Sequence, residues 1–209
     1  IGLLEYFTQK KLILMTKPID FYFDFVSPYT FISFQQIKSL KHKRDFKFRL
    51  KPILLGGLHN LHKITAPAFI PAKARFMIRD CKMISDKYKI SFKFNSYFPI
   101  KTVGLMRGVL IAEEDGIANE YIDKIFEALW VSGFNLNDQS IIDKVLKNLD
   151  INPKTFALRL SNQNIKDELK KRTQDAYEKG IFGAPTFYIN NKVFWGQDRI
   201  EFALAESLK

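Results

Sequence analysis

An α/β domain whose sheet is interrupted by a large all-helical insertion is what this 209-residue sequence predicts. Three observations point there. A strand–helix–strand pattern follows residue 18, a hairpin and a helix close the chain, and the apolar spacing between about residues 60 and 180 is helical throughout. The length fits one domain carrying an insertion and is ample for a substantial core.

Taken in order, IDFYFDFV from Ile19 is aromatic and β-branched with near alternation, the signature of a buried strand. It stops at Ser27-Pro28. Serine at the N-cap accepts an orphan amide, and proline at the first helical position has no amide to leave unpaired, so a helix is predicted from Pro28 to about Leu40. Phe46 to Leu55 (FKFRLKPILL) then alternates as a second strand, and a connection of this length suits a parallel pair.

The middle differs in kind. Met77, Cys81, Ile84 and Tyr88 recur at helical spacing over 73–89, as do Ile117, Tyr121, Ile125, Leu129 and Trp130 over 117–131. Further helices are predicted over 102–114, 139–149, 153–160 and 163–179, the last closed by Gly180. Thr186 to Ile189, the turn pair Asn190-Asn191, and Val193 to Trp195 read as a hairpin, followed by a helix from Arg199 to Leu208. That order is a thioredoxin-like fold: a βαβ unit and a ββα unit, residues 15–59 and 180–209, separated by a helical insertion over 60–179.

Residues 1–14 stand apart as an extension ahead of Met15. Lys10 and Lys11 break their apolar character and no small-residue cleavage site follows, so they do not read as an export signal, and a cytoplasmic location is expected. No apolar run approaches the roughly 20 residues that cross a membrane. The formal net charge is +11, with 18 basic and 6 acidic residues in 1–100, leaving 15 and 16 for the rest. Such a basic half would suit nucleic acid, yet no zinc-finger spacing, leucine zipper or RNP-type sequence accompanies it; attraction of anionic small molecules, or a solvated lysine-rich face, fits better. The single cysteine, Cys81, excludes an internal disulfide, a C-x-x-C pair and a multi-cysteine zinc site. It lies on an apolar stripe as a small buried hydrophobe. His59 and His62 form an H-x-x-H without a third ligand, so no metal site is expected. Trp130 and Trp195 read as core residues, Trp195 with an option to border a site.

Ser27 is the first place where chemistry fits. In open α/β sheets ligands sit beyond a strand's carboxyl end at the next helix N-terminus, where unpaired amides and partial positive charge favour an anion. A serine nucleophile needs an adjacent base, and there is neither a nearby histidine nor a G-x-S-x-G elbow. Ser27 therefore either donates a hydrogen bond to a bound anion or simply caps the helix. The second place is GIFGAPTFYI (180–189): Pro185 must sit at a strand start, a cis Ala184–Pro185 bond fits the bend, and the Ala184 amide and carbonyl would then face outward to a peptide-like ligand, or the segment is ordinary turn punctuation.

Five segments, DFYFDFVSPYTF (20–31), LKPILLGG (50–57), PAKARFMIRD (71–80), GIFGAPTFYI (180–189) and FWGQDRIEFALAESL (194–208), resemble in order and spacing the 2-hydroxychromene-2-carboxylate isomerases and the related kappa-class glutathione transferases, over about residues 18–208. The resemblance implies a DsbA-like thioredoxin fold with a helical insertion, in which Ser27 and Thr30 stand at the two C-x-x-C positions, so glutathione is the cofactor that brings the thiol. It implies a cis-trans isomerase acting on an unsaturated aromatic carboxylic acid, with a kappa-like transferase or a non-catalytic glutathione-binding module as alternatives, and a homodimer as the assembly. Carried over by position, Ser27 stabilises the thiolate, Pro28 and Tyr29 surround the sulfur, Ala184 before Pro185 pairs with the cysteinyl backbone, and Gln197 and Asp198 hold the γ-glutamyl end. Arg199 supports the last helix. Lys73, Arg75 and Arg79 would meet the carboxylate of a small-molecule substrate, or form a solvated face. One departure stands out: where the family has a Gly-Asn pair that reaches glutathione, this chain has Lys63 and Ile64, with Asn60 or Lys63 as the replacements.

Overall fold

The computed structural model describes residues 16–41 and 46–209; the predicted extension over 1–14 lies outside them. Four strands form one mixed sheet in the order β2-β1-β3-β4, with β1 (Ile19–Phe23) parallel to β2 (Phe48–Pro52) and antiparallel to β3 (Thr186–Ile189), which pairs with β4 (Lys192–Trp195). Asp20, Phe21 and Tyr22 face Tyr188, Phe187 and Thr186 across the central pair. Every residue of β1 is buried, because this central strand is covered on both faces.

Nine helices surround the sheet among the described residues: α1 (Pro28–Lys41), α2 (Leu55–His62), α3 (Pro71–Tyr88), α4 (Val103–Glu114), α5 (Ala118–Trp130), α6 (Gln139–Lys147), α7 (Pro153–Leu160), α8 (Gln163–Glu178) and α9 (Ile200–Ser207), with a 3₁₀ turn over Pro67–Phe69. The fold class is as the sequence predicted. Strand alternation sorts the core into two layers. Phe21, Phe23 and Phe187 point into the larger one, with Phe31 and Ile37 of α1, Leu105 of α4, Ile125 and Phe126 of α5, and Ala203 of α9. Phe126 is its hub: its ring lies 4.8 Å from that of Phe25, 5.0 Å from Phe34, 5.9 Å from Phe31 and 6.2 Å from Phe23. Truncating such a ring to alanine costs about 3–5 kcal/mol.

The smaller layer holds Tyr22, Ile53, Leu55, Leu58, Ala176 and Ile181. It carries a correction. The second strand ends at Pro52 rather than Leu55, and a helix, α2, begins at Leu55 where none was predicted. The reason lies in where the amides go. Proline has no N–H for the ladder; beyond it, Leu54 N–H donates to Thr173 Oγ1 at 2.9 Å and Leu55 N–H to Asp24 Oδ2 at 2.8 Å, so side chains take the chain out of the sheet. The expected boundary between residues 59 and 60 consequently falls inside α2, and α8 of the insertion packs with α2 under the sheet.

Punctuation read from sequence holds. Gly180 sits at φ 76 after α8, and Asn190 and Asn191, at φ 49 and 58, make the hairpin turn. The Phe98–Pro99 bond is cis, ahead of α4, which the sequence reading did not anticipate.

Candidate active site

The N-terminus of α1 meets the Ala184–Pro185 loop. Ser27 is buried; its Oγ accepts from Thr30 N–H at 3.2 Å as the N-cap and donates to the Ala184 carbonyl at 3.0 Å, joining segments 157 positions apart. The Ala184–Pro185 bond is cis, as its place at the start of β3 suggested. The Ala184 carbonyl, expected to meet a peptide-like ligand, here accepts from Ser27 Oγ, because a helix-capping hydroxyl has one proton left to give and this carbonyl is in reach. The Pro185 carbonyl accepts from Gly196 N–H at 3.0 Å, and Thr186 Oγ1 donates to the Gly183 carbonyl at 2.7 Å, so the loop is tied to β4 and to itself.

Beneath this corner lies a group that sequence reasoning missed. The Asp24 carboxylate is fully buried and accepts three hydrogen bonds: from Val26 N–H at 3.0 Å, Leu55 N–H at 2.8 Å and Thr102 Oγ1 at 2.6 Å. It therefore links the end of β1 to the starts of α2 and α4, and Ser27 N–H donates to its backbone carbonyl at 3.2 Å. Burial pushes the Asp24 carboxyl above its ordinary range, while the three donors pull it back. A lone acid between Phe23 and Phe25 was the available signal.

Other expected site residues fall around the corner in two groups. Pro28 is buried, and half-buried Tyr29 reaches from α1 to α3, its hydroxyl donating to Asp80 Oδ2 at 2.8 Å. Beside it the buried Cys81 thiol is pushed up to about 12, chiefly by desolvation and then by the Asp80 charge, which leaves it unreactive near neutral pH. Thr30 Oγ1 is buried with no hydrogen-bond partner. Lys73, Arg75 and Arg79 are exposed on α3. At 3.6 residues per turn, Lys73 shares the flank of Asp80, two turns on, while Arg75 and Arg79 lie opposite the buried row of Met77, Cys81 and Ser85. The Arg79 guanidinium rests over the Phe76 ring at 5.7 Å.

On the loop's other side, half-buried Gln197 and exposed Asp198 follow β4. Asp198 pairs with Arg199 at 2.6 Å. Gly196 has no substitute here: it sits at φ 111, and a Cβ would come 2.7 Å from Asp198 Oδ1. Trp195 is not core as first read; it stands 51% exposed on the edge strand, its ring 5.0 Å from that of Phe182 and its Nε1 2.5 Å from where a Gly183 Cβ would be. Trp130, by contrast, is buried and donates to the Phe25 carbonyl at 2.8 Å.

The departing segment is a helix end. Lys63 caps α2 at φ 57, its amide donating to the Asn60 carbonyl at 3.2 Å, and exposed Ile64 donates to the His59 carbonyl at 2.9 Å. A His62 ring nitrogen lies 2.8 Å from the Ile181 carbonyl and the ring packs on Tyr177, which gives the H-x-x-H a structural occupation.

Comparison with known proteins bears on the family and the fold. The profile of the DSBA-like thioredoxin domain matches residues 18–208. A 2-hydroxychromene-2-carboxylate isomerase of Sphingobium xenophagum is 25% identical over 194 residues, spanning 90% of this chain and 96% of that one. Glutathione S-transferase kappa 1 of Rattus norvegicus is 22% identical over 199 residues, spanning 88% and 87%. A solved 2-hydroxychromene-2-carboxylate isomerase superposes with a TM-score of 0.80 at 22% identity, covering 89% of this chain and 92% of that chain, and so shares the fold.

Proposed function

Because the chain belongs to the DSBA-like thioredoxin domain family yet holds Ser27 and Thr30 where a reactive cysteine pair would stand, we propose that it is a glutathione-dependent cis-trans isomerase of the 2-hydroxychromene-2-carboxylate isomerase type, acting on an unsaturated aromatic carboxylic acid. The observation that carries this reading is the Ser27 hydroxyl, a donor held at a helix N-terminus against the cis Ala184–Pro185 bend. The chain's own thiol is unavailable, since Cys81 is buried and about 12. A borrowed thiol fits the donors present.

Glutathione, when bound, supplies an ionised thiol able to add to a conjugated double bond, let it rotate and depart. The protein's part is to keep that sulfur negative and to hold the substrate carboxylate. For the first, Ser27 exchanges partners: its proton leaves the Ala184 carbonyl and turns to the sulfur, while the carbonyl is released to the cysteinyl amide of the tripeptide. The exchange conserves hydrogen bonds, so its net cost is small. The α1 N-terminus adds attraction for negative charge. Bringing a thiol from about 8.5 to 7 requires about 2 kcal/mol, within one charge-assisted hydrogen bond. Gln197 and Asp198 take the γ-glutamyl end, the Asp198 carboxylate trading Arg199 for the ammonium. Lys73, on the Asp80 flank, takes the substrate carboxylate, with Arg75 and Arg79 contributing a basic field.

The test is calorimetry with glutathione on the native chain and on Ser27→Ala, with ultraviolet titration of the bound thiol. Binding with the thiol ionised near neutrality supports the reading; no binding removes it. A kappa-like transferase is the second reading, favoured by the similarity to the rat enzyme; it releases a thioether conjugate where the isomerase returns free glutathione. A binding module without turnover is the third, favoured by Ile64 where the family carries asparagine. The same reading places the protein in the cytoplasm, where glutathione is the abundant thiol, and as a homodimer, for which exposed Phe69 and Phe76 offer apolar surface.

A further inference from the structure

The helical insertion contains a cavity that the chemistry at the Ser27 corner leaves unused. Its volume is about 80 Å³, it opens between α4, α5, α6 and α7, and no residue expected at that corner lines it. The buried side chains of Leu105, Tyr121, Leu146 and Phe156 make its floor. The Tyr121 hydroxyl donates to the Leu105 carbonyl at 3.1 Å, so the floor offers hydrocarbon only. Apolar voids stay dry and take apolar matter, and this one has about half the volume of a cavity that holds benzene, so it admits a short alkyl chain and not a ring.

The mouth is different. Exposed Lys101 stands there without an ion pair among the described residues. Gln139 gives its amide to Asp143 at 2.7 Å, and the adjacent Asp138 accepts from the Ser140 amide at 2.8 Å, so both carboxylates have partners of their own. Gly104 lines the cavity from the first turn of α4, and a Cβ there would meet nothing within 4 Å. Glycine weakens a helix relative to alanine, and packing does not demand it at this position; its effect is to leave the cavity open. Helix α4 has no side-chain cap, since Thr102 gives its hydroxyl to Asp24 at 2.6 Å, and its first turn adds a weak attraction for negative charge.

We propose that this cavity is a second ligand site, one that takes a short aliphatic carboxylate of about four carbons, its chain on the apolar floor and its carboxylate at Lys101. The site shares no residue with the Ser27 corner and so does not depend on the glutathione reading. An aromatic ring is too wide for it. An alkyl amine meets like charge at the mouth, and an alcohol keeps the chain contacts while losing the ion pair.

The experiment titrates the full chain with butanoate, butan-1-ol, butylamine and benzoate by ligand-observed NMR, in the presence and absence of excess glutathione. Butanoate is expected to bind about fivefold more tightly than butan-1-ol, the margin of one good ion pair at a protein surface, with butylamine and benzoate weaker than either. Lys101→Gln should erase that margin and leave the alcohol where it was. Gly104→Leu, which fills the opening, should weaken butanoate about tenfold by denying two methylenes their burial. Glutathione should change none of these values. The proposal is overturned if butanoate does not bind, if it binds no better than the alcohol or no better than benzoate, if glutathione displaces it, or if Gly104→Leu binds it undiminished. A chain that fails to bind glutathione leaves this site standing. If Gly104→Leu does not fold, the four-ligand comparison on the native protein and Lys101→Gln still decides.

Discussion

Two buried polar groups three residues apart, the Asp24 carboxylate and the Ser27 hydroxyl, hold the same corner by different means. Asp24 is an acceptor surrounded by donors from three parts of the chain. Nothing among them can be exchanged without stranding a buried carboxyl oxygen or a buried N–H, so the arrangement is permanent. Ser27 both accepts and donates, is neutral, and spends its proton on a carbonyl that could take another donor equally well. The first is a rivet and the second a latch. The proposed function uses the latch, where partners can change at little cost.

Substitutions separate the two. Asp24→Asn keeps the shape but points an NH₂ at one of three donors; a loss of about 2–4 kcal/mol is expected, read as a lower urea midpoint with unchanged slope. A midpoint within error of the native protein's would show that Asp24 holds nothing. Ser27→Ala should cost only the cap, about 1 kcal/mol, while raising the bound thiol's pKa by a unit or more. If stability falls as far as in the Asp24 variant, the latch is a second rivet.

A third carboxyl calibrates the pair. Glu206 of α9 accepts from Asn190 Nδ2, Lys192 Nζ and Lys209 Nζ, each at 3.0 Å, and these bonds hold it at about 2, well below its ordinary 4.5. A depressed acid stabilises the folded chain fully above its unfolded value and loses that contribution as pH falls through the folded one. Stability should therefore decline between pH 4.5 and about 2, and Glu206→Gln should flatten this part of the profile in urea titrations run at successive pH values. The smallest effect concerns the end of α2, where Lys63 adopts φ 57. Lys63→Gly should gain up to about 1 kcal/mol by thermal melting, and adding Ile64→Asn should tighten glutathione binding if that contact is what this chain lacks.

Local chemistry made most of the frame legible. Ser27-Pro28, Gly180 and Asn190-Asn191 each determine a backbone conformation by themselves, so the ends they mark were readable. The hidden parts depend on distant partners. Helix α2 begins because Asp24 and Thr173 draw off the amides of Leu55 and Leu54, and no pattern within 46–62 reports residues 31 and 119 positions away. Trp195 is exposed because β4 is an edge strand, which sheet order decides and composition does not. The expected site residues were named from short motifs, while the present partners of two of them, the Ala184 carbonyl for Ser27 and Asp80 for Tyr29, came only with the fold.

The shared floor under the sheet, where Leu55 and Leu58 meet Ala176 and Ile181, has a consequence for anyone wishing to dissect the molecule. Excising the central helices to obtain a minimal domain would strip the underside of Tyr22 and Ile53 and leave a sticky, aggregating fragment. Insertion and host share one buried floor, so grafting the Ser27 corner elsewhere would have to carry α8 along with it.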